Sequence, residues 1–224
     1  KMNSADMQTK GYELSLGWQD MFKLAGKPFA YQINLTFNDY ISKITKFNNP
    51  EKAFAKKYYE GMRIGEIWGY HIDGMFATDE EAANYQVDQR RVNDIINSSS
   101  GSLKGLHAGD LRFADLDGDN IISTGEDTVD DPGDRRIIGN SEPRYQYGAN
   151  MAFQWCGFDF SIFFQGIGRM DWYPASEAEL FWGPFNRPYA TFLPKNFLEQ
   201  CWSEDNPNAY FPRPRAYVAF DNLG

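Results

Sequence analysis

The sequence predicts a mainly β chain, with four antiparallel strands that each carry one apolar and one polar face. Three observations predict it. Aromatics make up 17% of the 224 residues, with 18 Phe, 13 Tyr and 6 Trp, yet the mean hydropathy is −0.58. Apolar residues are therefore plentiful but seldom consecutive, which is the mark of alternating strands. The alternating segments come in two pairs, each closed by a short glycine-containing turn. The links inside the pairs are short, whereas about a hundred residues separate the pairs and more than fifty follow the second.

In chain order, residues 1–10 are polar and are expected to be a loop. From Tyr12 a period of two begins, with Tyr12, Leu14, Leu16 and Trp18 opposed by Glu13, Ser15, Gly17 and Gln19. Ala25-Gly26-Lys27-Pro28 is a turn. The second strand alternates more strictly: Phe29, Tyr31, Ile33, Leu35 and Phe37 against Ala30, Gln32, Asn34, Thr36 and Asn38. Phe47-Asn48-Asn49-Pro50 stops it. Met62 to Phe76 reads as short strands and turns. Thr78-Asp79-Glu80-Glu81 is a capping box that predicts a helix as far as about Asn97, with Val92, Ile95 and Ile96 in a local core. The second pair follows, Tyr145–Trp155 and Phe158–Gln165, turning at Cys156-Gly157. Phe163 breaks its polar face.

Nine alternating residues at about 3.3 Å each, tilted about 40°, rise roughly 23 Å, close to the ~25 Å apolar band of an outer-membrane barrel. The opposite face is amide, hydroxyl and glycine, which suits a watery lumen. Short turns at one rim and long loops at the other are the asymmetry of such barrels. The same alternation also suits a half-buried strand of a soluble sandwich, so a secreted calcium-braced β-sandwich that binds carbohydrate is the alternative. No apolar run is long enough for a membrane-spanning helix, which does not bear on strands.

The formal net charge of −9 argues against a nucleic-acid partner. Cys156 and Cys201 are too few for a disulfide framework and are read as unlinked thiols, with a bridge between the two as the alternative. His71 and His107 are the only histidines, and the serines lie in no nucleophile elbow, so no enzyme is expected. The first and last residues read as those of a piece of a longer chain.

Asp115, Asp117, Asp119, Ile121, Ser123 and Glu126 fall at positions 1, 3, 5, 7, 9 and 12 of a calcium loop of the EF-hand type. That spacing lets alternate side chains and one backbone carbonyl, that of Ile121, converge on a hard cation. Asn120 stands where glycine is usual and tolerates the left-handed turn required there. Nine acids lie between Asp110 and Asp134 with Arg112 the nearby base, so a structural calcium ion would relieve their repulsion; the alternative is a solvated acidic turn. Flanking helices are not evident.

Several stretches together resemble the C-terminal part of the SusC/RagA-like TonB-dependent outer-membrane transporters. They begin with Gly11-Tyr12-Glu13-Leu14-Ser15-Leu16-Gly17-Trp18 and Ile67-Trp68-Gly69-Tyr70. More specific are Gly109-Asp110-Leu111-Arg112-Phe113-Ala114-Asp115-Leu116-Asp117-Gly118-Asp119 and Ile138-Gly139-Asn140-Ser141-Glu142-Pro143. Gly157 to Gly166, Asn206-Pro207-Asn208-Ala209 and Pro212-Arg213 follow in order. The resemblance implies four strands of a 22-stranded transmembrane barrel in the Gram-negative outer membrane, with an N-terminal plug absent here. It also implies a SusD-like surface lipoprotein lid, the TonB–ExbB–ExbD complex as energy source, and import of oligosaccharides or peptides. Under it the chain divides into strands one and two with a periplasmic turn (11–45), a long extracellular loop with a short helix and the acidic loop (46–143), a barrel hairpin (144–168) and an extracellular aromatic-rich loop (169–224). In that last segment Trp172, Tyr173 and Trp182 are candidates to touch ligand or lid, against the alternative of loop packing.

Overall fold

A computed structural model describes residues 5–92, 105–174 and 192–214. The chain divides into two compact units, one of residues 1–52, 56–66 and 139–172, the other of 53–55, 67–138 and 173–224.

The first unit is built on a four-stranded antiparallel sheet: β1 (Ala5–Leu24), β2 (Lys27–Phe47), β7 (Arg144–Trp155) and β8 (Phe158–Arg169), in the order β1-β2-β7-β8. Residues 5–10, expected as loop, continue β1, because they pair with β2 (Thr9 with Ser42, Lys10 with Ile41), with one register shift between Asp6 and Met7. At 20 residues and about 3.3 Å per residue, β1 is about 66 Å long, well over twice the length expected from its apolar stripe.

Register keeps like faces together. Across the sheet Leu16, Leu35, Ala149 and Phe164 form one row, and Trp18, Ile33, Met151 and Ile162 the next. On the other face Ser15, Thr36, Gly148 and Gln165 align, as do Gln19, Gln32, Ala152 and Ser161. Phe163 falls in the polar row with Gly17, Asn34 and Asn150, so its departure from the pattern is real. A β-carbon at Gly148 would come within 2.8 Å of the Thr36 hydroxyl, which explains the glycine there.

Both hairpins close on two-residue turns in which each residue has positive φ: Ala25 (52°) and Gly26 (80°), Cys156 (52°) and Gly157 (82°). This is the backbone of a type I′ turn, whose twist matches the strands it joins. At the other end of the sheet Arg144 grips Asp39 with two bonds, Nε to Oδ1 at 2.5 Å and Nη2 to Oδ2 at 2.6 Å, and the Tyr145 N–H also donates to Oδ1. Asp39 is buried despite its charge, and this clamp fixes where β7 enters the sheet.

Of the shorter strands, β3 (Glu66–Tyr70) pairs with β6 (Arg135–Asn140), and, within the second unit, β4 (Ile72–Met75) pairs with β5 (Leu111–Phe113). Thr78 caps a helix as its sequence demands, its Oγ1 accepting from the Glu81 N–H at 3.1 Å. The helix α1 is shorter than expected, Asp79–Asn84. At Tyr85 the backbone turns extended, and the buried Gln89 side chain donates to the Leu111 carbonyl and accepts from the Phe113 N–H. Those β5 bonds replace the next helical turns. The expected core role of Val92 holds, beside Leu111, Phe113 and Ile122, while Ile95 and Ile96 lie outside the described residues. A second short helix, α2 (Phe197–Gln200), buries Phe197 against Cys201. Both cysteines are free thiols, and burial pushes Cys201 up to about 11.

Ala25 holds a left-handed conformation that costs a β-carbon about 1 kcal/mol. Ala25→Gly should therefore stabilise the full-length protein by up to about 1 kcal/mol, read from its equilibrium unfolding in urea.

Candidate functional site

Two features carry chemistry: the two-faced sheet of the first unit and the acidic loop of the second.

On the sheet, large apolar side chains of one face stand in the open: Trp18 at 65% exposure, Leu16 at 55%, Phe160 at 58% and Phe158 at 79%. They do not meet in a dry interior, as a sandwich would require. Near the turns the rings form a band, with centroids 5.1 Å apart for Phe22–Phe29, and 6.2 Å for both Phe29–Phe153 and Phe153–Phe160. The indole N–H groups of Trp18 and Trp155 on the same face are satisfied locally. Trp18 Nε1 donates to the Tyr31 hydroxyl at 2.9 Å, and Trp155 Nε1 to the Leu24 carbonyl at 3.4 Å. The opposite face is dished, with a hollow of about 440 Å³ lined in part by Gln19, Ala30, Gln32, Ala152 and Gln154. One face thus suits an apolar solvent and the other water. No helix of the described residues is long and apolar enough to cross a membrane, which leaves strands unaddressed.

In the acidic loop, carboxylate oxygens of Asp115, Asp117 and Asp134 lie within 4.8 Å of one another. Asp119 and Glu126 are not in that group; Asp119 Oδ1 accepts from the Ile121 N–H at 2.7 Å. The loop is wound about Asp115, which accepts from the Gly118 N–H at 2.7 Å and the Asn120 N–H at 2.9 Å. Asn120 has φ 64°, the left-handed turn expected of it. Burial works to raise the Asp115 carboxyl, but the N–H groups of Asn120, Gly118 and Asp119, together with the Asp117 side chain, hold it below the ordinary value. Asp117 is shifted upward, first by burial and then by the carboxylates of Asp134, Asp119 and Asp115, against the bond from the Asp119 N–H.

Asp134 was not among the residues singled out by the loop spacing. It is fully buried, and its two oxygens accept from the N–H groups of Leu116 and Ser123, both at 2.7 Å. It lies beyond the twelve-residue pattern, so only the folded loop brings it in. The three carboxylates offer hard oxygens of the type that calcium takes, against the roughly six to eight that such an ion needs in all.

Trp172 is 70% and Tyr173 48% exposed, just after β8, and Trp182 lies outside the described residues. The Asp171 carboxylate accepts from the Asn140 N–H at 2.8 Å and its own N–H donates to the Asn140 carbonyl, which pins the chain immediately before Trp172.

The described residues thus define a mainly β chain, built on an open antiparallel sheet with one exposed apolar face and one polar face. The chain is similar to TonB-dependent receptor P3 of Formosa agariphila, 25% identical over 225 residues, covering 95% of this chain and 19% of that protein. It is likewise similar to TonB-dependent receptor P39 of the same organism, 25% identical over 186 residues, covering 73% of this chain and 17% of that protein. The chain thus spans less than a fifth of the length of these relatives, and both are named as receptors rather than enzymes. No family model matches the chain.

Replacing Asp134 by Asn turns one acceptor into a donor facing a backbone N–H. The loop should lose about 1–3 kcal/mol, seen as faster native-state proteolysis between residues 115 and 134 at unchanged overall secondary structure.

Proposed function

We propose that this chain is part of the wall and loops of a TonB-dependent outer-membrane importer of the SusC/RagA kind. The observation that carries this is the register-matched exposure of the apolar rows, Leu16 and Phe160 among them, on a sheet whose other face is polar. In lipid that face needs no protein cover, and the polar face lines the water-filled interior. The open edges of β1 and β8 require further strands, since unpaired backbone is not tolerated in hydrocarbon. In this reading 22 strands close the barrel. The TonB–ExbB–ExbD complex energises it, and a SusD-like lipoprotein closes it over an oligosaccharide or peptide. The naming of both relatives as TonB-dependent receptors supports the transport half of the reading.

The long segments between and after the hairpins are then the extracellular loops. Calcium held by Asp115, Asp117 and Asp134 would brace the first of them. Added calcium should then slow its proteolysis in the wild-type receptor and not in Asp134→Asn; equal cleavage with and without calcium in both proteins removes the ion. Trp172, Tyr173 and Trp182 offer rings to a ligand or to the lid. Trp172→Ala with Trp182→Ala should reduce uptake or lid retention in the full-length receptor, and unchanged values for both would assign these rings to loop packing.

The membrane placement is tested by charge. In the full-length receptor folded in vesicles, Leu16→Arg should cost about 2–4 kcal/mol, as arginine does near a bilayer midplane. Gln32→Arg on the polar face should cost far less. Equal tolerance of both, or a protein stable in water without detergent, would favour a soluble sandwich.

A further inference from the structure

We propose that the first unit carries a site for the phosphate of an outer-leaflet lipid headgroup, formed by Lys10, Lys43 and Arg63; it rests on the membrane reading above. The unbroken register places Lys10 and Lys43 on the apolar face. Lys10 follows Tyr12, Leu14 and Leu16 at two-residue steps along β1, and Lys43 follows Phe37, Asp39 and Ile41 along β2. Lys10 sits opposite Ile41 and Lys43 opposite Gln8, so the two lysines are diagonal neighbours, about 7–8 Å apart at the backbone. They stand just beyond the end of the apolar rows, where hydrocarbon gives way to headgroups. Lys10 is about 7 Å along the strand from Tyr12.

Above the start of β7 the second edge of β2 is taken by residues 61–64. The Ile44 N–H donates to the Met62 carbonyl, the Gly61 N–H to the Ile44 carbonyl and the Ile64 N–H to the Ser42 carbonyl. This sets Arg63 directly across from Lys43. Side chains that face each other across an antiparallel pair share a face, and two like charges so placed repel. Arg63 has a further debt: its Nε is buried with no hydrogen-bond partner.

The nearby acids do not answer these cations. Both Asp39 oxygens are taken by Arg144. Glu66 accepts the backbone N–H of Arg63 at 2.8 Å and the hydroxyl of Tyr59, not the guanidinium. None of Lys10, Lys43 and Arg63 forms an ion pair among the described residues. An oxyanion of phosphate geometry would relieve the Lys43–Arg63 repulsion by accepting from the ammonium of one and the guanidinium of the other. The face on which the three stand selects a phosphate presented from the membrane over one free in solution.

The test uses the full-length receptor folded in nanodiscs, with a phosphorylated glycolipid, its dephosphorylated form, or inorganic phosphate as probe. Bound probe is read by native mass spectrometry. The phosphorylated glycolipid should be retained, and the double variant Lys43→Gln, Arg63→Gln should lower its retention about fivefold for each cation removed. A gel shift on heating confirms that the variant barrel is folded; Lys43→Arg, which keeps the charge, should restore retention and covers the case of a variant that fails to fold. Equal retention of the two glycolipids, or unchanged retention in the folded double variant, overturns the site while leaving the membrane reading intact. Retention of inorganic phosphate alone overturns the lipid as its source.

Discussion

Everything in the first unit depends on an unbroken hydrogen-bond register between β1 and β2. From Gln8 to Leu24 each residue of β1 meets one of β2 without a slip. A one-residue shift would exchange the faces of the whole strand. Because the register holds, Leu16 and Trp18 share a side with Leu35 and Ile33, and Ser15 and Gln19 share the other with Thr36 and Gln32. The two tight turns set that register from one end and the Asp39–Arg144 clamp holds it from the other. The clamp spans 105 residues of sequence, so it ties together two strands that chain proximity does not.

The second unit follows different physics. Its core is small: Val92, Leu111, Phe113 and Ile122, with Tyr70, Met75 and Val87 packed against it. Much of its order comes from buried polar side chains that accept or donate to backbone. Gln89 serves β5 in this way, Asp134 serves the acidic loop, and Asp110, fully buried, accepts the His107 N–H. Such polar staples let a short-stranded, turn-rich segment hold one shape with few apolar contacts.

The departures from the sequence reading share a cause. The helix predicted to run from Thr78 stops after Asn84, although its cap forms as expected. Propensity and cap residues are local signals, and they lost to the bonds that Gln89 makes with Leu111 and Phe113, more than 20 residues away. Residues 5–10 read as loop for lack of an apolar stripe, yet an unbroken partner strand carries them. Once the chain leaves the apolar band, nothing in the residue types distinguishes a strand that continues in water from a loop.

The sequence by itself determined the two hairpins, their faces and the turns between them, because a period of two and turn residues are local and need no partner to be legible. It also marked the winding of the acidic loop, through the spacing of Asp115, Asp117 and Asn120. Only the tertiary structure brought Asp134 to those carboxylates, Arg144 to Asp39 and Arg63 to Lys43. Each of these pairings closes a loop between residues well separated in the chain. Which distant charge arrives is decided by how the backbone folds around it, and no spacing rule in the sequence encodes that.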